Sequence, residues 1–347
     1  SRLWHDIEGC SRRARLLRVA GRRHYLKFGH CLVPTHCRHF VRCLEPTNSS
    51  KDFRMNTTST EISDKSNAER LQIRKERLAL LRGNKAFIFG VTILGFWVLC
   101  AIFGKFVTPF KIDDQNYEFV SVAPNGTYWF GTDPNGQDVF SRVIVGSRLI
   151  LVMSFAATII GTVAGTSLGL ITGYFKGWFD TIVMRLLEAI SAIPAIIIAL
   201  LAIAAIDGQS PVLTVLIIAF VFTPNIARTV RAAVLAEAEY EYVAAARLRT
   251  ERTPHILFKE ILPNVMPPII VEFTVRLGYA IFAIATLSFL GAGVEYGSPN
   301  WGTQISENWA LIFNNQWWPT AFPAIAIASL AVSVNLISDG LLEVFEI

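Results

Sequence analysis

The chain has 347 residues, of which 52% are hydrophobic and only 17% charged. Such a composition argues against a soluble domain and for a protein whose solvent is lipid. The net charge of +5 does not point to nucleic acid: residues 1–54 hold 12 Lys and Arg against 4 Asp and Glu, while the rest hold 20 against 23, so any basic patch would be confined to the first segment.

That first segment also carries four of the five cysteines (Cys10, Cys31, Cys37, Cys43) and five of the six histidines. Met55 is the first methionine and opens a polar stretch, MNTTSTEISDKSNAERLQIRKERLALLRGNK. Met55 is accordingly expected to be the biological start, with 1–54 a non-native or upstream-translated leader and 55–85 a cytoplasmic tail. Two alternatives stay open. The acid-poor run RRARLLRVAGRRHYLKF suits a targeting peptide, although such peptides begin at an initiator methionine. Cys31, His36, Cys37, His39 and Cys43 would offer zinc ligands, although without the paired short spacing of strong zinc motifs. Cys100, alone in an apolar stretch, reads as a small packed hydrophobe, and no disulfide framework is implied.

A bilayer core requires about 20 apolar residues per helix. Six stretches qualify, at 86–107, 149–175, 182–206, 212–227, 268–292 and 319–338. With the N-terminus in the cytoplasm the inner flanks hold 13 Lys and Arg, whereas the outer loops hold only Lys111, Arg142 and Arg148. Lys and Arg favour the cytoplasmic side, so both termini are expected there. The chain then divides into a first span with its outer loop (86–148) and a core of five spans (149–347).

Taken in order, the outer loop contains FGTDPNGQDVFSRVIVGSR, with turn chemistry at Asp133–Gly136 and an apolar alternation after Gln137 that predicts an interfacial helix up to Arg148. Gly131, Thr132, Asp133, Gly136 and Asp138 are its candidate motif residues. Two carboxylates without a closing Glu make a poor calcium loop. The second span carries Gly161, Gly165, Gly169 and Gly173, a ridge of bare backbone on one face that invites another helix. Pro194 and Pro224 predict kinks in the third and fourth spans. Glu188 follows Arg185 by one turn, and Glu272 and Arg276 lie four apart in the fifth span, placed to form an intramembrane ion pair with pathway lining as the other reading. The last outer loop holds Trp301, Trp309, Trp317 and Trp318, the pattern of a headgroup belt. No nucleotide-binding P-loop, HExxH or GxSxG pattern is present. No catalytic, metal or cofactor residue is expected.

Between the fourth and fifth spans lies YVAAARLRTERTPHILFKEILPN (242–264), a small-residue helix and a second amphipathic helix on the cytoplasmic side. A soluble-looking segment there is suited to touching a partner outside the membrane. Together with the outer FGTDPNGQDVFSRVIVGSR and the late ATLSFLGAGVEYGSPNWGTQISE (285–307), it makes the chain resemble the C-type permease subunit of bacterial dipeptide and oligopeptide ABC importers. The resemblance implies an all-α integral membrane protein with six transmembrane helices in the type I ABC importer permease fold. It also implies that 233–263 is a coupling loop for a separate ATPase. Ala245, Ala246, Leu262 and Pro263 match the family pattern, with Arg247 and Thr250 beside them. Ala244 stands where the family has Glu, and Thr250 where it has Gly. Glycine there would accept a left-handed helix stop, which costs threonine about 1–2 kcal/mol, so this helix is expected to run on or end differently.

The implied partners are a B-type permease in a heterodimer, two cytoplasmic ATPases, an external peptide-binding protein and membrane lipid, with no nucleic acid and no cofactor. ATP-driven closure would draw the coupling loops together and turn the substrate path outward. An ion-gradient transporter or a non-transporting membrane scaffold are the alternatives, and the substrate stays open among dipeptides, longer peptides, nickel complexes and glutathione.

Overall fold

The computed structural model describes residues 79–345 except 113, 207–209 and 295–296. The expected leader, its zinc and targeting alternatives and most of the polar tail therefore lie outside the described residues. Among those described the chain is helical, with a single isolated antiparallel bridge between Thr132 and Asp138.

After a helical stretch at 79–83, ten named helices follow in order among the described residues: α1 Lys85–Val107, α2 Val139–Phe175, α3 Trp178–Ser191, α4 Ala195–Ile206, α5 Pro211–Glu237, α6 Glu241–Leu248, the short α7 Thr253–His255, α8 Met266–Phe289, α9 Trp301–Asn308 and α10 Trp318–Phe345. A π-helical turn, Ile256–Ile261, continues α7, and a 3₁₀ turn, Trp309–Asn314, continues α9. Five of these (α1, α2, α5, α8, α10) are long and apolar enough to cross a membrane, and the bent pair α3–α4 makes a sixth if it is one span. Large apolar side chains remain exposed along them, including Phe96, Leu99, Ile102 and Phe103 of α1. Surface of that kind is stable only against lipid.

Local chemistry sets the boundaries. Asn84 caps α1 by accepting the Phe87 N–H, and its amide donates to Glu343 Oε2 at 2.7 Å, tying the start of α1 to the end of α10. The two helices run antiparallel: Gly340 lies on Phe87, Gly90 on Ser333 and Leu336, and the Trp97 indole donates to Ser329. Asp138 caps α2, accepting from Ser141 N–H at 2.9 Å and Ser141 Oγ at 2.6 Å. Pro211 occupies the first turn of α5, where its missing N–H costs nothing.

Several boundaries differ from the sequence reading. The helix expected to lie in the interface up to Arg148 is instead the first third of α2, and Val139–Ser147 are buried. The division at 148 thus falls inside a helix, because Ser141, Arg142 and Ser147 look polar in sequence while all three find partners inside the protein. Pro194 does more than kink the third span: α3 and α4 meet at 86° across the break at 192–194. Glu188 and Arg185 pair at 3.2 Å on α3, the first arm of that bent pair, with both side chains more than half exposed. Pro224 sits within a continuous α5 that runs ten residues past the expected end at 227.

The glycine ridge of α2 lies on α5. A Cβ at Gly161 would meet Ala219 O at 3.0 Å, at Gly165 Ile226 Cβ at 2.7 Å, at Gly169 Ala227 O at 2.7 Å and at Gly173 Val234 Cγ1 at 2.8 Å. Four bare positions therefore bring the two backbones together along four turns, where packing rather than hydrophobic drive holds helices in lipid. Gly169→Ala is expected to destabilise the protein by about 1–3 kcal/mol through overpacking. Gly95→Ala, where nothing lies within 4 Å, is expected to be neutral or stabilising by up to about 1 kcal/mol. Thermal melting of the two purified variants in detergent checks the contrast.

Candidate coupling segment and outer cap

Beyond the membrane end of α5 the chain turns through 238–240 into α6, then α7 and its π turn, and returns to the membrane in α8. The inner face of this hairpin belongs to the protein's own core: Val243, Ala246 and Ile261 are fully buried, and Ile256 and Leu257 nearly so. The outer face carries exposed Ala244, Leu248 and Arg249, with Leu248 at 85% exposure. Ala245 is half-buried, Leu262 partly covered and Pro263 exposed. Ala246, a small residue suited to a partner's cleft by sequence, is thus spent on internal packing. Leu248, which the sequence reading passed over, presents the largest apolar tip of α6.

The helix stops as glycine would stop it. Thr250 adopts φ 56°, its N–H donates to Arg247 O at 3.0 Å, and Glu251 N–H reaches back to Ala246 O at 3.3 Å. This paired pattern is the Schellman closure, so the expectation that threonine would extend or alter the helix end is corrected. The two backbone bonds, with the buried anchors Val243 and Ala246, hold Thr250 in a conformation it disfavours.

Three further contacts, none of them read from sequence, lock the hairpin. Tyr242 Oη donates to Glu237 Oε1 at 2.6 Å and accepts from Asn264 Nδ2 at 2.9 Å, joining the end of α5 to the entry of α8. Burial, reinforced by the Glu237 carboxylate, pushes the Tyr242 phenol up to about 12, so it stays a donor at physiological pH. Asp180 at the start of α3 takes both Nε and Nη2 of Arg231 on α5. Arg247 lies 4.8 Å over the Tyr174 ring on α2, a cation–π contact within the protein itself. Glu251, His255 and Glu260 bring ligand-type atoms within 4.8 Å of one another at the hairpin tip, with Glu251 Oε1 held by Arg249 at 2.8 Å and Glu251 Oε2 facing His255 Nε2 at 3.6 Å.

The opposite end is an interlocked cap. Asp133 Oδ1 accepts the N–H groups of Asn135 and Gln137 at 2.9 and 2.8 Å, and Gly136, at φ 69°, closes the turn. A Cβ there would strike Asn116 O at 2.1 Å. Thr132 is buried, with its carbonyl receiving the Trp318 indole at 3.1 Å, and Gly131 (φ 74°) packs against the same ring. Arg142, 2% exposed, faces Asp133 at 3.4 Å and Glu307 at 3.6 Å, and donates to the carbonyls of Gly297 and Ser298. Burial raises the Asp133 pKa, opposed by the Gln137 N–H and Arg142, while Glu307 adds to the rise. Trp301 is fully buried and donates to Val143 O at 2.8 Å. Two of the four tryptophans expected in a headgroup belt, Trp301 and Trp318, are therefore core residues, whereas Trp309 and Trp317 are half exposed. Asp133 is engaged by backbone donors and Arg142 and Asp138 Oδ2 by Ser141, while Asp138 Oδ1 is buried without a hydrogen-bond partner among the described residues.

In the membrane region Arg276 Nε donates to Glu272 Oε1 at 2.6 Å, with Tyr279 and Phe222 rings 5.5 and 6.0 Å from the guanidinium.

Apolar helices joined outside the membrane by a rigid amphipathic hairpin, and sealed at the other end by a buried charge cluster, define a multi-pass membrane permease. Residues 165–346 match the binding-protein-dependent transport system inner membrane component family, and 75–124 match the N-terminal transmembrane domain of oligopeptide transport permease C. Among relatives, a dipeptide transport system permease of Alkalihalophilus pseudofirmus is 35% identical over 78% of this chain and 89% of its own. A dipeptide transport system permease of Bacillus subtilis is 32% identical over 85% and 92%. A glutathione transport system permease of Escherichia coli O157:H7 is 34% identical over 72% and 82%. A chain of the MetNI methionine ABC transporter in an inward-facing conformation aligns with a TM-score of 0.49 and 21% identity, over 58% of this chain and 96% of that one. The chain belongs to the family of inner-membrane permease subunits of binding-protein-dependent ABC importers, of the C type. It is a multi-pass inner-membrane protein and not an enzyme; ATP hydrolysis sits on partner ATPases. The ion-gradient transporter and scaffold alternatives fall with that assignment.

Two outcomes follow from the geometry. Thr250→Gly is expected to relieve left-handed strain for a net gain of about 1 kcal/mol after glycine's entropic cost, seen as slower amide exchange over 246–251. Arg142→Met is expected to cost about 3–5 kcal/mol by stranding two buried acids, seen as a lowered melting midpoint.

Proposed function

We propose that this chain is one half of a heterodimeric, ATP-driven peptide importer, paired with a B-type permease and set with both termini in the cytoplasm. The Lys and Arg imbalance between the two sides supports that orientation. The 237–264 hairpin is the part that meets the ATPase. The observation that carries this is the division of α6 into two faces, Val243 and Ala246 sealed inside and Leu248 fully presented on the outside.

The hairpin is built to pass on a displacement rather than absorb it. Tyr242 fastens it to both membrane helices it joins, and α5 runs as one rod of about 40 Å from the bundle interior to that fastening. A push on Leu248 is thereby delivered to α5, and through the glycine contact to α2. ATP-driven closure of two such ATPases moves the hairpins together and biases the bundle between two packings. Cargo is delivered from an external binding protein to the capped face. Peptide is the substrate class, drawn from relatives named for dipeptides, di- and tripeptides and the tripeptide-like glutathione.

Leu248→Glu in the assembled transporter is expected to abolish peptide uptake and to lower ATPase co-purification at least tenfold, while the permease pair itself is still recovered at normal yield. Ala246→Arg, by contrast, is expected to reduce permease yield, because it inserts a charge at a fully buried position. Unchanged uptake and unchanged ATPase recovery in Leu248→Glu would remove the hairpin from the coupling role.

A further inference from the structure

Away from both ends, a groove of about 500 Å³ lies between α1 and α2. Val98, Ala101 and Ile102 form one wall and Leu151, Val152 and Phe155 the other, and the single charged lining residue is Arg148. The Arg148 side chain is exposed, and among the described residues it has neither an ion pair nor a hydrogen bond. Every other arginine from 142 to 276 that lies on a membrane-crossing helix is engaged by an acid, a ring or a polar side chain: Arg142, Arg228, Arg231 and Arg276.

Position sharpens the contrast. Gly104 of α1 lies against Ile144 of α2, and Arg148 is one turn further along α2, rooted roughly 6 Å deeper than that crossing. A cation rooted in the apolar band is costly unless it reaches an anion or the interface. Among the described residues no anion pairs with it. Only 11% of the apolar window of α1 is buried, so the groove opens to lipid rather than to a substrate path inside the bundle. Lys105 continues the stripe of Val98, Ala101 and Ile102 by one turn and is likewise exposed without an ion pair among the described residues.

We propose that this groove is a binding site for one anionic phospholipid of the phosphatidylglycerol class. An acyl chain lies along the Val98–Ile102 and Leu151–Phe155 walls, and the phosphate diester pairs with Arg148, with Lys105 above it. The site is separate from transport and requires only that α1 and α2 stand in a bilayer. Its failure would leave the importer reading untouched.

The test is native mass spectrometry of the intact transporter complex in detergent, titrated with phosphatidylglycerol or with phosphatidylcholine of the same chains. The wild type is expected to bind one phosphatidylglycerol that Arg148→Gln weakens by roughly fivefold. Ala101→Phe, which fills the groove, is expected to lose the same lipid with the arginine intact. A benzoylphenylalanine photo-crosslinker at Val152 is expected to capture lipid. Equal phosphatidylglycerol occupancy in wild type, Arg148→Gln and Ala101→Phe overturns the proposal. So does loss of phosphatidylcholine equal to that of phosphatidylglycerol in Arg148→Gln, or a Val152 crosslink only to the second permease. If Arg148→Gln fails to assemble, Arg148→Lys, expected to retain the lipid, and the Val152 crosslink still decide.

Discussion

The contact between α2 and α5 is the constraint on which the rest depends. Four glycines remove every side chain from one face of α2, and α5 fills the space with Ala219, Ile226, Ala227 and Val234. In lipid no hydrophobic gain draws two helices together, so close backbone approach has to be achieved by shape. Once made, this contact organises both ends of the molecule. The first turns of α2 lie in the interlocked cap, and the last turns of α5 become the stem of the hairpin at the opposite end. The cap and the hairpin thus both grow from one tightly mated pair of helices.

Much of this architecture was legible because lipid imposes a simple rule, long apolar runs, on any chain that crosses it. The limits of three of the six spans, the first, third and fifth, were readable to within a few residues for that reason. The rule fails where polar residues are satisfied inside the protein. Ser141, Arg142 and Ser147 made the start of α2 look like a surface helix, and only their partners at Asp138, Asp133 and Ile144 reveal a buried one. It fails again for Trp301, whose indole finds a carbonyl on α2 instead of a headgroup. The serines are satisfied by carbonyl and carboxylate groups one turn away and Arg142 by an acid nine residues back, pairings that polarity alone does not announce, whereas the Trp301 partner lies 158 residues away and leaves no trace in local spacing.

The hairpin gives the same lesson from the other side. Its alanines and its Leu-Pro end were visible at once, but the division of labour among them was not. Which face of an eight-residue helix turns inward depends on Ile256, Leu257 and Ile261 arriving from the π turn. Likewise, Thr250 looked like a reason for the helix to continue. Tertiary packing of Val243 and Ala246 outweighs a local preference of about 1–2 kcal/mol, and the chain reverses where it does.

Arg142 has a consequence for how the protein is made. Its first acid, Asp133, precedes it by nine residues, whereas its second, Glu307, and the carbonyls of Gly297 and Ser298 emerge from the ribosome more than 150 residues later. Synthesis runs from the N-terminus, so for most of translation this cation has only its first acid and neither carbonyl. The fold therefore has a clasp that can shut only when the penultimate hairpin is in place, and a chain stopped short of it is left with an open seam.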